Sequence, residues 1–343
     1  MRIDIAGFTR GTKTLDHRAV LDFCARMDAL GYDGIWFNEF HFQQPPDPYP
    51  STLLLAAAIF ARTERIRVGT SIVVLPLYHP LLLAEQIAQL HWQSGGRFDL
   101  GIGRGTHPTT LEALGISADS TRERFVQSFA LMTSAWTQPT LIPAQSVWPS
   151  SSFAVGPLLP PGQTVPVYAA GSTAETIGFS IDHGLPLLLS LEPPEARQLA
   201  IYDELTGNRS GRYPADFSIS RYVTIAPSRA AALNAVDALL PRLYDRRRRY
   251  AIAQNRPLDT IKPIDRDVFL SHQMIAGSPD DCVEQLEALR QQTGIDSIRL
   301  IFNCNGEVPE PEADAMATLF GREALGALQA LPSLTTPPIE VVS

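Results

Sequence analysis

A histidine follows a strand-like run near the start of this 343-residue chain, in the sequence Asn38-Glu-Phe-His-Phe42. Because an imidazole changes its charge near neutral pH, His41 is able to donate or accept a proton there. Its position, just after residues 34–37, corresponds to the carboxyl end of a strand, where barrel enzymes keep catalytic groups. The alternative is a packed or solvent-exposed loop histidine, and the residues alone leave both interpretations open.

A glycine-rich turn, Gly101-Ile-Gly-Arg-Gly105, follows a second strand-like run and contains a fixed cation, Arg104. The turn departs from the dinucleotide-binding pattern G-x-G-x-x-G, because Thr106 occupies the third glycine position and Pro108 follows before any helix. A tight turn is one interpretation. The other is an anion site, since Arg104 stands at a strand end where barrel enzymes bind ligands.

Three hydroxyl side chains, Ser172, Thr173 and Thr176, stand at the start of a predicted helix. Backbone N–H groups and the helix dipole favour an anion at this end, so hydroxyls in the first turn can share in binding a phosphate. Plain N-capping is the alternative. Arg104 and Arg122 are able to reach the same anion if the fold brings them together.

The elements that must position these residues alternate between strand and helix. Eight strands are predicted, at residues 2–7, 34–37, 67–73, 98–102, 167–170, 186–189, 217–225 and 297–302. Helices are predicted at residues 16–30, 51–62, 80–94, 120–136, 173–183 and 228–250, and from residues 193, 279 and 311. The alternation predicts a (β/α)8 TIM barrel of the α/β class, with an open doubly wound sheet as the alternative. A single barrel domain over residues 1–343, with excursions near residues 137–165 and 251–276, accounts for the chain.

Composition narrows the class of protein further. A net charge of -8 disfavours nucleic acid or an anionic membrane as a partner, since neither attracts an acidic surface. Cys24, Cys282 and Cys304 lack the paired spacing of a disulfide framework or a zinc site. The N-terminus does not read as a signal peptide, and the longest fully apolar run, residues 53–61, is shorter than the ~20 residues that cross a bilayer. We therefore expect a cytoplasmic protein without a metal.

Five segments together resemble the bacterial luciferase-like family of flavin-dependent monooxygenases. They are residues 31–42, 68–80, 96–105, 171–186 and 275–279, in the order that the family has. The resemblance implies a βα barrel that binds reduced FMN, or in one branch the deazaflavin F420, at the carboxyl ends of the strands. Ser71-Ile72 falls where the family often has a non-prolyl cis peptide beneath the flavin ring.

The resemblance also implies roles for individual residues. By motif match, the cofactor-binding positions are Ser71, Ile72, Gly103, Arg104, Arg122, Ser172, Thr173 and Thr176, with the phosphate at Arg104, Arg122, Thr173 and Thr176. Glu39 and His41 match two members of the family's Glu-His-His-Phe pattern and are the expected catalytic residues. Phe40 replaces the first histidine of that pattern, the one tied most closely to catalysis in luciferases. Light-emitting aldehyde oxidation is therefore not expected. Phe40 is expected either to shape an apolar substrate pocket, together with Phe42, or to mark a catalytically weakened homologue.

The function that this resemblance implies is a two-component monooxygenase. FMNH2 comes from a separate flavin reductase and captures O2 as a flavin C4a-hydroperoxide, which the protein shields from water and aims at a small organic substrate. No second nucleotide-binding motif is visible in the sequence, which agrees with an outside source of reduced flavin. One alternative is an F420-dependent oxidoreductase that passes a hydride. Another is a non-catalytic flavin-binding subunit like the second chain of luciferases.

Two segments predict properties outside the site. Residues 251–267 are polar and lie where the family often carries a mobile lid, so we expect them to shield the flavin from water. The helix containing residues 53–61 is apolar on all sides, whereas an outer helix of a barrel normally keeps a polar face. Exposed apolar patches usually mark interfaces, so we expect a homodimer that pairs through this helix.

Overall fold

The computed structural model describes residues 1–9, 16–42, 47–105, 107–138, 140–141, 153–253, 256–332 and 334. Contacts group the chain into two compact units. The first unit comprises Met1–Thr12, Arg26–Gly34 and Gly171–Ser343, and the second comprises Lys13–Ala25 and Ile35–Ala170. Within the described residues, no helix is both long and apolar enough to cross a membrane.

Strands and helices alternate along most of the chain. The strands are β1 (Arg2–Ala6), β2 (Gly34–Phe37), β3 (Arg67–Thr70), β4 (Val73–Val74), β5 (Phe98–Gly103), β6 (Thr140–Leu141), β7 (Phe153–Ala154), β8 (Val167–Ala169), β9 (Ser218–Ile225), β10 (Met274–Gly277) and β11 (Ser297–Ile301). The helices are α1 (His17–Leu30), α2 (Thr52–Phe60), α3 (Pro80–Ser94), α4 (Pro108–Ala113), α5 (Thr121–Ala135), α6 (Ala174–Asp182), α7 (Glu195–Thr206), α8 (Arg229–Ala253), α9 (Arg266–His272), α10 (Pro279–Thr293), α11 (Glu310–Glu323) and α12 (Leu325–Gln329).

The first unit contains a sheet in which β10, β9, β11 and β1 lie side by side in that order. Each neighbouring pair is parallel, with Ile5 opposite Leu300 and Ile301 opposite Tyr222. Every residue of β9, β10 and β11 is buried. Strands buried on both faces are typical of parallel sheets that are covered by helices.

One edge of β9 differs from the sequence prediction. The strand predicted at residues 186–189 is reduced to a single parallel bridge, in which Leu188 pairs with Ser218 at the start of β9. From Tyr222 onward that edge pairs with β10, a strand that was not predicted and that begins at the end of the excursion expected near residues 251–276. Because β9 is eight residues long, it has room for two successive neighbours on one edge.

The second unit contains β2, β3 and β5 in that order, with β8 and β4 pairing to β5. Here the strand predicted at residues 67–73 is divided, because β3 ends at Thr70 and β4 begins only at Val73. The hydroxyl of Thr70 donates to the carbonyl of Gly101 and accepts from its N–H, at 2.9 and 3.0 Å. This side chain thus takes the place of the next main-chain pair of the ladder.

The two predicted excursions also contain regular structure. The antiparallel pair of β6 and β7 belongs to the excursion near residues 137–165, of which residues 139 and 142–152 lie outside the described residues. The excursion near residues 251–276 contains α9 and β10, and its residues 254–255 lie outside them as well. The short helix α4, which begins at Pro108, was not predicted.

Helix α2 begins as predicted, with the Ser51 side chain accepting the N–H of Leu54 at 3.4 Å. Its apolar composition has a different cause from the one expected. Six of its nine residues are buried within the protomer, and Leu54 is the large side chain that stays exposed, at 75%. The expected apolar surface patch is therefore much smaller than the sequence suggested.

Candidate active site

Glu39 follows β2 in the second unit and is almost completely buried, at 5% exposure. Its carboxylate accepts three hydrogen bonds, from His41 Nε2 at 2.6 Å, from the N–H of Val74 at 3.0 Å and from the hydroxyl of Tyr78 at 2.8 Å. A buried carboxylate is stable as an anion only where such donors replace water. Glu39 is therefore the organising group of this end of β2.

His41 is half-buried and is held at both its ring and its backbone. The ring binds Glu39, and the hydroxyl of Thr110 on α4 donates to the carbonyl oxygen of His41 at 2.9 Å. The hydrogen bond to Glu39 is the main cause that raises the pKa of His41. Burial opposes the rise, and the charges of Glu39 and Asp47 add to it. The predicted pair of catalytic residues is thus in direct contact.

Tyr78 is a polar group of this site that the sequence analysis did not single out. It follows the 3-10 turn Leu75–Leu77, and its hydroxyl reaches Glu39 from 39 residues along the chain. Burial first, and then the neighbouring Glu39 charge, raise the pKa of Tyr78 far above its ordinary value, so the phenol keeps its proton and donates. No spacing rule connects residues 39 and 78, so only the fold reveals the contact.

The peptide bond between Ser71 and Ile72 is cis, as the resemblance implied. The Asn38 side-chain amide donates to the carbonyl oxygen of Ser71 at 2.5 Å, and the N–H of Ser71 donates to the carbonyl oxygen of Phe37 at 2.8 Å. The backbone between β3 and β4 is therefore fastened to the end of β2.

The glycine-rich turn lies directly against this segment. A Cβ on Gly103 would overlap the Ile72 side chain, and a Cβ on Gly105 would overlap Val74. Gly105 also has a φ of +60°, a conformation that favours glycine. The structure thus brings Ile72 and Gly103, two of the predicted cofactor-binding residues, into contact.

The two predicted phosphate-binding arginines also belong to the second unit. Arg104 follows β5, and Arg122 lies in the first turn of α5 with its guanidinium 5.8 Å from the centre of the Phe125 ring. Both side chains are half-buried. A guanidinium in such a position keeps its charge and presents several donors to an anion.

The predicted hydroxyl cluster belongs to the first unit. Thr173 is the N-cap of α6, its side chain accepts the N–H of Thr176 at 3.3 Å, and the two hydroxyl oxygens are 3.1 Å apart. The capping interpretation is therefore correct for Thr173. Ser172, just before it, is half-buried.

The two phenylalanines of the predicted pocket differ in exposure. Phe40 is half-buried, whereas Phe42 is 53% exposed and has a φ of +56°. The Phe42 ring lies 5.9 Å from the His41 ring, centre to centre. A non-glycine residue in this conformation costs ~1–3 kcal/mol, and such residues cluster at functional sites. The exposed ring of Phe42 thus lies beside His41, on a backbone conformation that is typical of functional sites.

Parallel strands with ionisable groups after their carboxyl ends define an α/β enzyme of the βα-barrel kind. Among the described residues, no group of three or more histidine, cysteine, aspartate or glutamate side chains is arranged to hold a metal. The family of luciferase-like monooxygenases matches residues 4–297, and the chain belongs to this family. It is accordingly an oxidoreductase of the monooxygenase class.

Individual relatives agree with this membership. The chain is 27% identical over 290 residues to a 4-hydroxyprotoasukamycin monooxygenase of Streptomyces nodosus subsp. asukaensis, covering 80% of this chain and 77% of the relative. In structure it is similar to the oxygenating constituent of 3,6-diketocamphane monooxygenase from Pseudomonas putida, a type II Baeyer-Villiger monooxygenase in complex with FMN. The TM-score is 0.75 at 18% identity, over 94% of this chain and 98% of that one.

The fold is shared with enzymes of another chemistry. An F420-dependent secondary alcohol dehydrogenase matches with a TM-score of 0.60 and 16% identity, over 91% of this chain and 97% of that one. Identities this low show the fold alone. The predicted α/β barrel class is thereby confirmed.

Proposed function

We propose that this protein is the oxygenating component of a two-component flavin monooxygenase, which uses FMNH2 and O2 to oxidise a small organic substrate. The observation that carries the proposal is the buried Glu39 carboxylate, which holds His41 at 2.6 Å beside the segment where Ile72 packs on Gly103. This arrangement provides a fixed proton-transfer group next to the positions assigned to the flavin ring. Bound FMNH2 supplies the electrons and the oxygen-activating chemistry.

The phosphate is assigned to three groups whose donors suit a dianion. Arg104 and Arg122 provide permanent positive charge, and the α6 N-terminus provides backbone N–H groups and the hydroxyls of Ser172, Thr173 and Thr176. Thr173 caps the helix through one lone pair, and the hydrogen bond between the Thr173 and Thr176 hydroxyls uses one of their two protons, so this pair has one further proton to donate. Each of these donors suits a phosphate monoester, and each group is testable by itself.

His41 holds or transfers the proton in this proposal, with Glu39 orienting the ring. Phe40 and Phe42 form the apolar side of the pocket, which limits access of water to the reacting atoms. Because Phe40 stands where luciferases have a histidine, we propose an oxidation without light emission. The reductase is a separate protein.

Residues 251–267 are proposed as the cover of the site. Their described part contains the end of α8, a 3-10 turn at Leu258–Thr260 and the start of α9. Pro263, Ile264 and Asp265 line a cleft of about 590 Å³ within the first unit.

The F420-dependent alternative is supported by fold similarity alone, and no contact in the described residues favours it. A titration of the purified protein with FMNH2, FMN and F420 without oxygen separates the hypotheses. We expect FMNH2 to bind more tightly than FMN or F420, because the proposed enzyme receives its flavin already reduced from a separate reductase. Tight binding of F420 with none of FMNH2 would contradict the proposal.

A further inference from the structure

Tyr78 and His41 bind the same oxygen atom of Glu39. The Tyr78 hydroxyl lies 2.8 Å and His41 Nε2 lies 2.6 Å from Oε1, while the N–H of Val74 lies 3.0 Å from Oε2. The carboxylate therefore cannot rotate without breaking bonds at both oxygens. Its orientation, and through it that of the imidazole, is determined by residues from a different loop.

We infer that Tyr78 is a positioning residue for His41 and acts through Glu39. The functional importance of this arrangement rests on the proposed function, in which His41 handles the proton. The geometry itself is independent of any cofactor. A carboxylate only accepts, so a neutral His41 must carry its proton on Nε2 and its lone pair on Nδ1. The structure thus assigns one tautomer to the ring.

The Tyr78 hydroxyl also has a predictable effect on the His41 charge. A neutral donor stabilises a carboxylate most when no cation faces it, which here is the state with neutral His41. Tyr78 therefore partly offsets the rise that Glu39 causes in the pKa of His41. Within the part of the chain that the structure describes, the other groups that face His41 include Asp47, the hydroxyl of Thr110 at its backbone and the ring of Phe42.

The test is a histidine titration of the full-length protein by NMR, without flavin, in which a His41→Gln variant identifies the resonance. We expect the wild-type ring to be in the Nε2–H form above its pKa. Tyr78→Phe keeps the ring and removes the hydroxyl, and it should raise the pKa of His41 by roughly half a unit. Glu39→Gln should lower it.

Tyr213→Phe is the matched control. The Tyr213 hydroxyl also donates to a carboxylate, that of Asp203 at 2.9 Å, but within the first unit. This control variant should leave the His41 titration unchanged. In enzyme assays, the pH profile of Tyr78→Phe should shift to higher pH, as the pKa of His41 does.

An Nδ1–H tautomer in the wild-type protein would overturn the inference, and so would an unchanged or lowered pKa of His41 in a folded Tyr78→Phe protein. The tautomer measurement needs no variant at Tyr78, so it tests the contact between Glu39 and His41, through which Tyr78 acts, even where that variant does not fold. Because the titration is made without flavin, its result is separate from that of the flavin titration, which tests the proposed function.

Discussion

Arg122 and Arg124 lie two residues apart on α5 and make different contacts. Arg122 stands over the Phe125 ring, whereas Arg124 Nε donates to the carbonyl of Pro76 at 3.3 Å. Charge-assisted hydrogen bonds contribute ~1.5–3 kcal/mol each. Arg122→Ala and Arg104→Ala should therefore each weaken flavin binding by about tenfold or more, as read by fluorescence titration.

Arg124→Ala is the control on the same helix and should bind flavin as the wild type does. Unchanged affinity in Arg122→Ala or Arg104→Ala would remove that arginine from the phosphate site. Equal losses in Arg122→Ala and Arg124→Ala would point to a general disturbance of α5.

The sequence reveals the residues of this site only where they are neighbours in the chain. Glu39 and His41 could be predicted because they stand in one short motif after a strand. Tyr78 could not, because its contact with Glu39 depends on how the loop after β4 folds back. The pKa of His41 is raised chiefly by its hydrogen bond to Glu39, whereas the opposing effect of burial and the added charge of Asp47 depend on the fold and are specified by no motif.

At the scale of elements, the glycine-rich turn after β5 is fitted closely to β4. Gly105 needs its positive φ, and a side chain there would overlap Val74, whose N–H holds Glu39. Gly115 also has a positive φ, of +65°, but nothing lies within 4 Å of its Cβ position. Gly115→Ala therefore isolates the backbone cost, ~1–2 kcal/mol.

Gly105→Ala should destabilise the protein by more than Gly115→Ala, because it adds overpacking of about 1–3 kcal/mol to the same backbone cost. It should also weaken flavin binding, whereas Gly115→Ala should not. Chemical unfolding and flavin titration measure the two effects. Equal unfolding free energies for the two variants would show that the Val74 side chain moves aside without destabilising the protein.

Strands and helices with clear periodicity could be predicted from the sequence. β2 has the predicted bounds, and α3 begins and ends at the predicted residues. The misses have physical causes. β3 ends early because the Thr70 side chain replaces a main-chain pair of hydrogen bonds. β10 was not predicted because the residues on both sides of this short strand are polar.

For the whole molecule, the homodimer remains a prediction, and the exposed apolar surface that supports it is smaller than the sequence suggested. Most of α2 is buried within the protomer, which leaves Leu54, at 75% exposure, and Leu82 on α3, at 60%, as exposed apolar side chains. If the dimer forms there, Leu54→Glu should shift the mass measured by light scattering toward the monomer. Leu205→Glu, at a 48% exposed position of α7, should not.

A monomeric mass for the wild-type protein at micromolar concentration would contradict the dimer.

The fold class of the whole molecule could be predicted from the sequence. Strand and helix alternate over nearly the whole chain, and this alternation survives local errors such as the reduced strand at residues 186–189.

In the proposed function, the protein directs reduced flavin and O2 toward oxygenation. The most direct test of this function is rapid mixing of the protein with FMNH2 and aerated buffer, followed by absorbance. We predict a transient spectrum that differs from both reduced and oxidised flavin and outlives free reduced flavin, because the proposed pocket limits the access of water to the flavin. Flavin that oxidises as fast as in buffer, without any such transient, would contradict the proposed function, and anaerobic turnover with F420 would favour the F420-dependent alternative instead.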